Sequence, residues 1–296
     1  MIGKLGRIKD VVDERDYTPE HPKVAKLFER LRARTLPLTI DLRPFGTPID
    51  DQGNLGSCTA NAAAGLVEFL EMHMSKTFDE ASRLFLYFVT RHLIENTTGD
   101  VGASNRDTIK ALVKYGMAKE ALWGYDESKI DVQPPQSVFD NALNYKTLTY
   151  VSLSKLADIQ AMAANGLPTQ IGFEVFESFD DIGSDGIMKM PNFKTEEYLG
   201  DHAVDVFGYI VIGGVLYLII RNSWGTAWGA NGYFYMPASM LSKNDAEGTP
   251  VVSDNWAILT ESFITNPVPP VPVPVTDCTK YTSAMANIET ILNGLK

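Results

Sequence analysis

The stretch DQGNLGSCTANAAAGLVEFL, residues 51–70, places Cys58 between a Gly-Ser pair and an alanine-rich apolar run. The only other cysteine, Cys278, lies 220 positions further on. Two readings are open for Cys58: a small buried hydrophobe at the start of a helix, or a nucleophile. A thiol with the ordinary pKa of about 8.5 is only a few per cent ionised at neutral pH, so a nucleophile needs help. One source is position. Ser57 reads as a helix N-cap, which makes Cys58 the first helical residue, where the positive end of the helix dipole stabilises a thiolate. The other is an imidazole able to form a thiolate–imidazolium pair.

The chain has four histidines. His73 lies fifteen residues along the same expected helix, about 22 Å from Cys58, and cannot reach it. His92 sits inside another helical stretch beside Arg91, and His21 belongs to an N-terminal appendage. That leaves His202, in GDHAVDVFGYI, at the start of an expected strand. Taken alone, such a histidine is more often a satisfied structural residue than a base. Twenty residues later, however, comes RNSWGTAWGANGYF. An asparagine here, Asn222, placed beside His202 would accept its ring N–H and fix the tautomer. Trp224 would shield that hydrogen bond from water and strengthen it.

The elements that must position these residues change character along the chain. Residues 57–123 read as helical, with CTANAAAGLVEFLEMHM apolar all round, as in a central helix, and Gly116 as a helix stop. From about residue 147, LPTQIGFEVF, HAVDVFGYIVI, VLYLIIRN and NGYFYMP read as strands. A helical half followed by a sheet-rich half implies an α+β protein of two lobes with a site in the cleft between them. Residues 1–38 form an appendage in which Val24, Leu27, Phe28 and Leu31 make one apolar helix stripe behind Pro22. It either packs on the main body or lies over a cleft. The tail opens with PVPPVPVPV (267–275), an extended strut of roughly 28 Å. An amphipathic helix follows within 276–296, either folding back on the domain or tethering a partner.

Net charge is −11, which argues against nucleic acid or an anionic membrane as the main partner. The longest apolar run, YIVIGGVLYLII (209–220), is too short to span a bilayer and reads as two buried strands around a Gly-Gly turn. No secretory signal is recognisable, so a cytoplasmic protein is the default expectation, with export by another route left open. No CxxC or HExxH spacing occurs, and neither metal nor cofactor is expected. Two cysteines allow at most one disulfide, and Cys278 reads as a free thiol or an intermolecular one.

Together these motifs resemble the papain-like cysteine peptidases, bacterial members more than lysosomal or plant ones. PIDDQGNLGSC is similar to that family's Gln-Gly-x-x-Gly-Ser-Cys motif, DHAV followed by GY to its histidine strand, and RNSWGTAWGANGYF to its Asn-Ser-Trp-Gly block. IDLRPFGTPIDDQG resembles the start of the mature domain, and GASNRDTIKALVKYGM the stretch opening with substrate-binding glycines. The resemblance covers roughly residues 39–262. It implies a helical lobe and a β-barrel-like lobe within a catalytic domain, residues 39–266. Cys58 would be the nucleophile, His202 the base and acid, and Asn222 the group that orients His202. Gln52 with the Cys58 N–H would form the oxyanion hole. By the same match, Gly102 and Ala103 hold the substrate backbone, and Ala203 lines the pocket for the second side chain before the cut. Leu55 stands where the family often has a disulfide cysteine, and Thr59 replaces the aromatic usual after the nucleophile. Residues 1–38 are shorter than the usual inhibitory prosegment.

The resulting expectation is hydrolysis of peptide or protein substrates through an acyl-enzyme. Two alternatives stand beside it: an amidase or acyl transferase using the same residues, and a binding protein on a catalytically silent fold. Residues 1–38, helix stripe included, are expected to restrict access to the cleft.

Overall fold

The computed structural model describes residues 3–143 and 149–259. The proline-rich strut, the helical tail and Cys278 lie outside the described residues. The chain opens with a two-residue strand, β1 (Arg7–Ile8), then a helix, α1 (Ala25–Arg32), and a short strand, β2 (Ile40–Asp41). The helical lobe follows: α2 (Cys58–Ser75), α3 (Arg83–Val89) continuing as a π-turn over Thr90–Ile94, β3 (Ala103–Ser104), α4 (Asn105–Tyr115) and α5 (Gln136–Ala142). The second lobe contains β4 (Thr149–Ser152), α6 (Leu156–Ala164), β5 (Thr169–Phe176), β6 (Tyr198–Ile212), β7 (Val215–Arg221), β8 (Tyr233–Pro237) and β9 (Val252–Leu259).

Local sequence accounts for most of these limits. Ser82 and Ser104 cap α3 and α4, accepting the N–H of Phe85 and of Asp107 at 3.2 Å each. Gly116 stops α4 with φ 82°, a conformation that favours glycine. Gly213 and Gly214, both at positive φ, turn β6 into β7, so the long apolar run is two paired strands. Ser57 departs from the expected cap. Its side chain accepts no backbone N–H from α2; it bonds Tyr125 Oη at 2.6 Å and accepts from the Asn61 side-chain Nδ2 at 2.9 Å. A neighbouring hydroxyl has outcompeted the local cap.

The second lobe is one seven-stranded sheet in the order β4-β9-β5-β6-β7-β8, with β2 added antiparallel to β6. Its apolar face and α6 form one core; α2, α3 and α4, with Trp256 and Ile258 of β9, form the other. Between them runs α2, whose first turns are buried on every side. No described helix is long and apolar enough to cross a membrane.

The appendage divides in two. Val24, Leu27, Phe28 and Leu31 are buried in the sheet-lobe core, and Arg32 clamps Asp158 of α6 through two hydrogen bonds of 2.6 and 2.9 Å. Burial of each of these large side chains contributes about 2 kcal/mol. The helix stripe therefore packs on the body and does not cover the cleft. Residues 3–10 cover it instead.

Candidate active site

Cys58 begins α2 at the floor of the interlobe cleft and is fully buried. The backbone N–H groups of Ala203, Gly6 and Thr59 point at its sulfur. Ala203 places the β6 backbone, and with it His202, against the helix terminus. His202 is also fully buried, and its Nε2 bonds Asn222 Oδ1 at 2.8 Å. Its Nδ1 has no hydrogen-bond partner among the described residues. The Trp224 ring stacks on the imidazole at 4.8 Å between centroids and is itself walled by Phe179 and Trp228.

Gln52 reaches the same spot from the segment before the helix. Its backbone N–H bonds Ser223 O at 2.9 Å, and Gly225 N–H bonds Asp50 O at 2.9 Å, so residues 50–52 are fastened to the Asn-Ser-Trp-Gly turn. Ser223 Oγ donates to Gln52 Oε1 at 2.6 Å, which turns the Nε2 donors inward. They donate to Leu55 O at 2.8 Å and to Lys4 O at 2.9 Å. Asp100 orders the loops on the other side. It accepts from Gly56 N–H at 2.9 Å and from Tyr87 Oη at 2.7 Å, and Tyr87 Oη accepts from Gly102 N–H at 3.0 Å.

The covering segment lies along this array as an extended strand. Gly3 sits on Trp224, where a Cβ would stand 2.6 Å from Nε1. A Cβ at Gly6 would overlap the Gly56 carbonyl, and one at Gly102 the Gly6 carbonyl. Gly6 O accepts the Ala103 N–H at 2.9 Å, and β1 pairs with β3 in parallel. Glycine permits each of these approaches because it has no side chain to hold the backbones apart.

Burial under this strand reverses the expected thiol chemistry. The Cys58 thiol is pushed up to about 11, chiefly by burial, which outweighs the N–H groups directed at the sulfur. His202 is pushed down to about 4, again by burial first, against the Asn222 bond that favours its cation. In the covered form burial favours the neutral state of each group. The helix position that favours a thiolate is opposed here by the burial of the sulfur.

The structure brings together Cys58, His202, Asn222, Gln52, Trp224, Gly102, Ala103 and Ala203. The remaining histidines lie apart: His21 stacks on Tyr17, His73 on Phe69, and His92 bonds Asp131 at 2.9 Å. Thr59, unusual in its place, is buried and accepts the Thr108 hydroxyl at 2.9 Å, so a polar contact replaces aromatic packing. Sequence reasoning missed Tyr87, Asp100, Tyr125 and Ser223, whose roles depend on contacts remote in sequence. It also missed the strand within residues 3–10, although GKLGRIK carried a signal: two glycines for close approach and three cations in an acidic chain.

A two-lobed α+β fold with a buried Cys-His-Asn set in its cleft defines a class, and comparison gives its name. Residues 36–250 match the family model of the papain family cysteine proteases. An uncharacterised peptidase C1-like protein of Acanthamoeba polyphaga mimivirus is 34% identical over 88% of this chain and 89% of its own length. Peptidase 1 of Dermatophagoides pteronyssinus is 27% identical, and the match spans 69% of this chain but only 62% of that longer protein. Among solved structures, xylellain, a cysteine protease from Xylella fastidiosa, superposes with TM-score 0.72 at 32% identity, covering 86% of this chain and 96% of its own. The bromelain protease from Ananas comosus shares the fold at 20% identity and TM-score 0.60, covering 76% of this chain and all of its own. The chain belongs to the papain family of cysteine proteases.

Proposed function

We propose that this protein is a latent cysteine peptidase whose own residues 3–10 block its cleft. One observation carries the reading: an extended peptide already lies past Cys58, with its Lys4 carbonyl on Gln52 and its Gly6 carbonyl on Ala103. The site holds peptide backbone. The bound strand runs the wrong way for cleavage. By the family resemblance, a substrate would place the residues before the cut on the Gly102–Ala103 side, whereas here that side takes Gly6 and Arg7, and the preceding Gly3 lies on Trp224. It binds as a plug.

With the plug displaced, water reaches Cys58, and the α2 N-terminus and His202 stabilise its thiolate. His202 takes the Sγ proton on Nδ1, the atom left without a partner. Sulfur attacks the scissile carbonyl carbon, and the oxyanion forms against Gln52 Nε2 and the Cys58 N–H, each donor worth about 3 kcal/mol. The C–N bond breaks as His202 returns the proton to the leaving amine. A water then attacks the thioester, passing its proton to His202, and the acid is released with the thiol restored. Asn222 keeps the ring in the tautomer this cycle needs.

The test is labelling of the full chain with an epoxide directed at active-site cysteines. Wild type is expected to label slowly, and Gly6→Val, which cannot seat the strand, to label at Cys58 at least tenfold faster with peptide hydrolysis appearing in parallel. Equal slow labelling of both would overturn the latency. Absence of hydrolysis by a labelled variant would overturn the peptidase.

A further inference from the structure

The plug also shows what the cleft prefers to hold. The Arg7 side chain is a cation with 0% exposure. Its guanidinium lies over Gly172, where no Cβ holds it off. It donates to Asp254 Oδ2 at 2.5 Å and to Ser253 Oγ at 3.1 Å, and pairs with Asp201. The slot is built around these contacts. Tyr198 Oη donates to the other Asp201 oxygen at 2.5 Å, which turns the carboxylate toward Arg7. Asp254 adopts a left-handed backbone, φ 55°, uncommon outside glycine and costing about 1 kcal/mol or more. Two carboxylates and a hydroxyl engage both terminal nitrogens of the planar fork, and an apolar occupant would leave both carboxylates without a counter-charge.

The slot adjoins the reacting groups. Asp201 directly precedes His202, and Gly172 is the register partner of Ala203, the residue assigned above to the pocket for the second side chain before the cut. Strand side chains stand perpendicular to the backbone and alternate in either direction, so a productive strand reaches the same slot as the reversed one. The neighbouring contacts have the same sign. Lys9, on the same face of the strand as Arg7, pairs with Glu174, and Lys4 lies 3.3 Å from Asp100. Once the plug leaves, these carboxylates face an open cleft in a chain of net charge −11.

We infer that the Arg7 slot is the specificity pocket, and that the substrates are peptides carrying a basic residue, arginine above lysine, second before the scissile bond. This inference rests on the peptidase reading. Specificity arises as much from rejection as from attraction: an apolar or acidic side chain strands Asp201 and Asp254.

The experiment compares fluorogenic peptides identical except for Arg, Lys, Leu or Glu at that position, using the full chain with Gly6→Val/Arg7→Ala so that strand and slot are both vacated. Expected is a kcat/KM for Arg at least tenfold above Leu, Lys between them and Glu lowest. Adding Asp254→Asn is expected to cut the Arg-to-Leu ratio at least fivefold. Should the double variant be insoluble, Gly6→Val alone, which unseats the strand and Arg7 with it, gives the same comparison. Leu equal to or better than Arg overturns the inference and leaves the peptidase intact. Cleavage of none of the four, with Cys58 unlabelled by the epoxide, overturns the peptidase reading and this inference with it.

Discussion

Asn222 Oδ1 serves two donors, the His202 ring and the Ser223 backbone N–H at 2.8 Å each, so the amide cannot turn without breaking both. Asn222→Ala frees the imidazole to rotate. In an unplugged background, kcat should fall 10- to 100-fold with KM little changed, because orientation matters in the transition state more than in substrate binding. A rise in KM alone would contradict that role. Asp10, at the end of the plug, is a second residue-scale control. Its carboxyl is pushed up to about 6, by burial first and then by the Asp254 carboxylate, against the Arg106 N–H, the Trp256 indole and Arg7. A raised acid pKa in the docked state means docking takes up a proton. Docking is therefore favoured as pH falls from about 6 toward 3.8, and above 6 it carries the full penalty, at most roughly 3 kcal/mol. Hydrogen exchange of residues 3–10 should show wild type less protected than Asp10→Asn at pH 8, with the two converging near pH 4. A difference independent of pH would refute the linkage.

The two parts of the appendage behave as different elements. α1 belongs to the core: Leu27 is 1% exposed among sheet-lobe residues, and its truncation to alanine should destabilise the fold by about 2–5 kcal/mol. Denaturant unfolding checks this, and no gain in Cys58 labelling is expected under native conditions. Gly6→Val should do the reverse, releasing the cleft with the unfolding midpoint nearly unchanged, because β1 pairs with only two residues of β3. Deleting residues 1–38 as a block would confuse the two effects, since it removes a core helix together with the plug.

At the scale of the whole molecule, buried charge holds the lobes in register. Arg221, at the end of β7, donates to Thr47 O at 2.6 Å and lies 3.7 Å from Asp50, which pairs with Arg83 of α3 at 3.3 Å. Asp205, the register partner of Arg221, is fully buried, and burial raises its pKa well above the ordinary value despite that arginine. Burial disfavours its charge, so Asp205→Asn, which removes that charge and keeps the shape, changes little. Stability within about 1 kcal/mol of wild type is expected for Asp205→Asn, against a loss of about 2–5 kcal/mol for Arg221→Met, which leaves the Thr47 and Pro48 carbonyls without their donor and Asp50 with Arg83 alone. Comparable losses in thermal unfolding would contradict that expectation.

Sequence by itself singled out Cys58, His202 and Asn222, by elimination among the histidines and by resemblance to the family's motifs, and the structure places the three together. Four histidines and two cysteines left few pairings, and each candidate lay in a short, strongly patterned segment. It also determined the two-lobed division, because a 3.6-residue period and a 2-residue period are local properties. Tertiary structure alone decided the state of the site. The thiol's ionisation depends on what excludes water from it, and the excluding strand lies about fifty residues away in the chain, in a segment whose glycines and cations have no period to announce a strand. The same holds for the Arg7 slot: Asp201 comes from β6, Ser253 and Asp254 from β9, and only the register of β5 with β6 and β9 gathers them around one guanidinium.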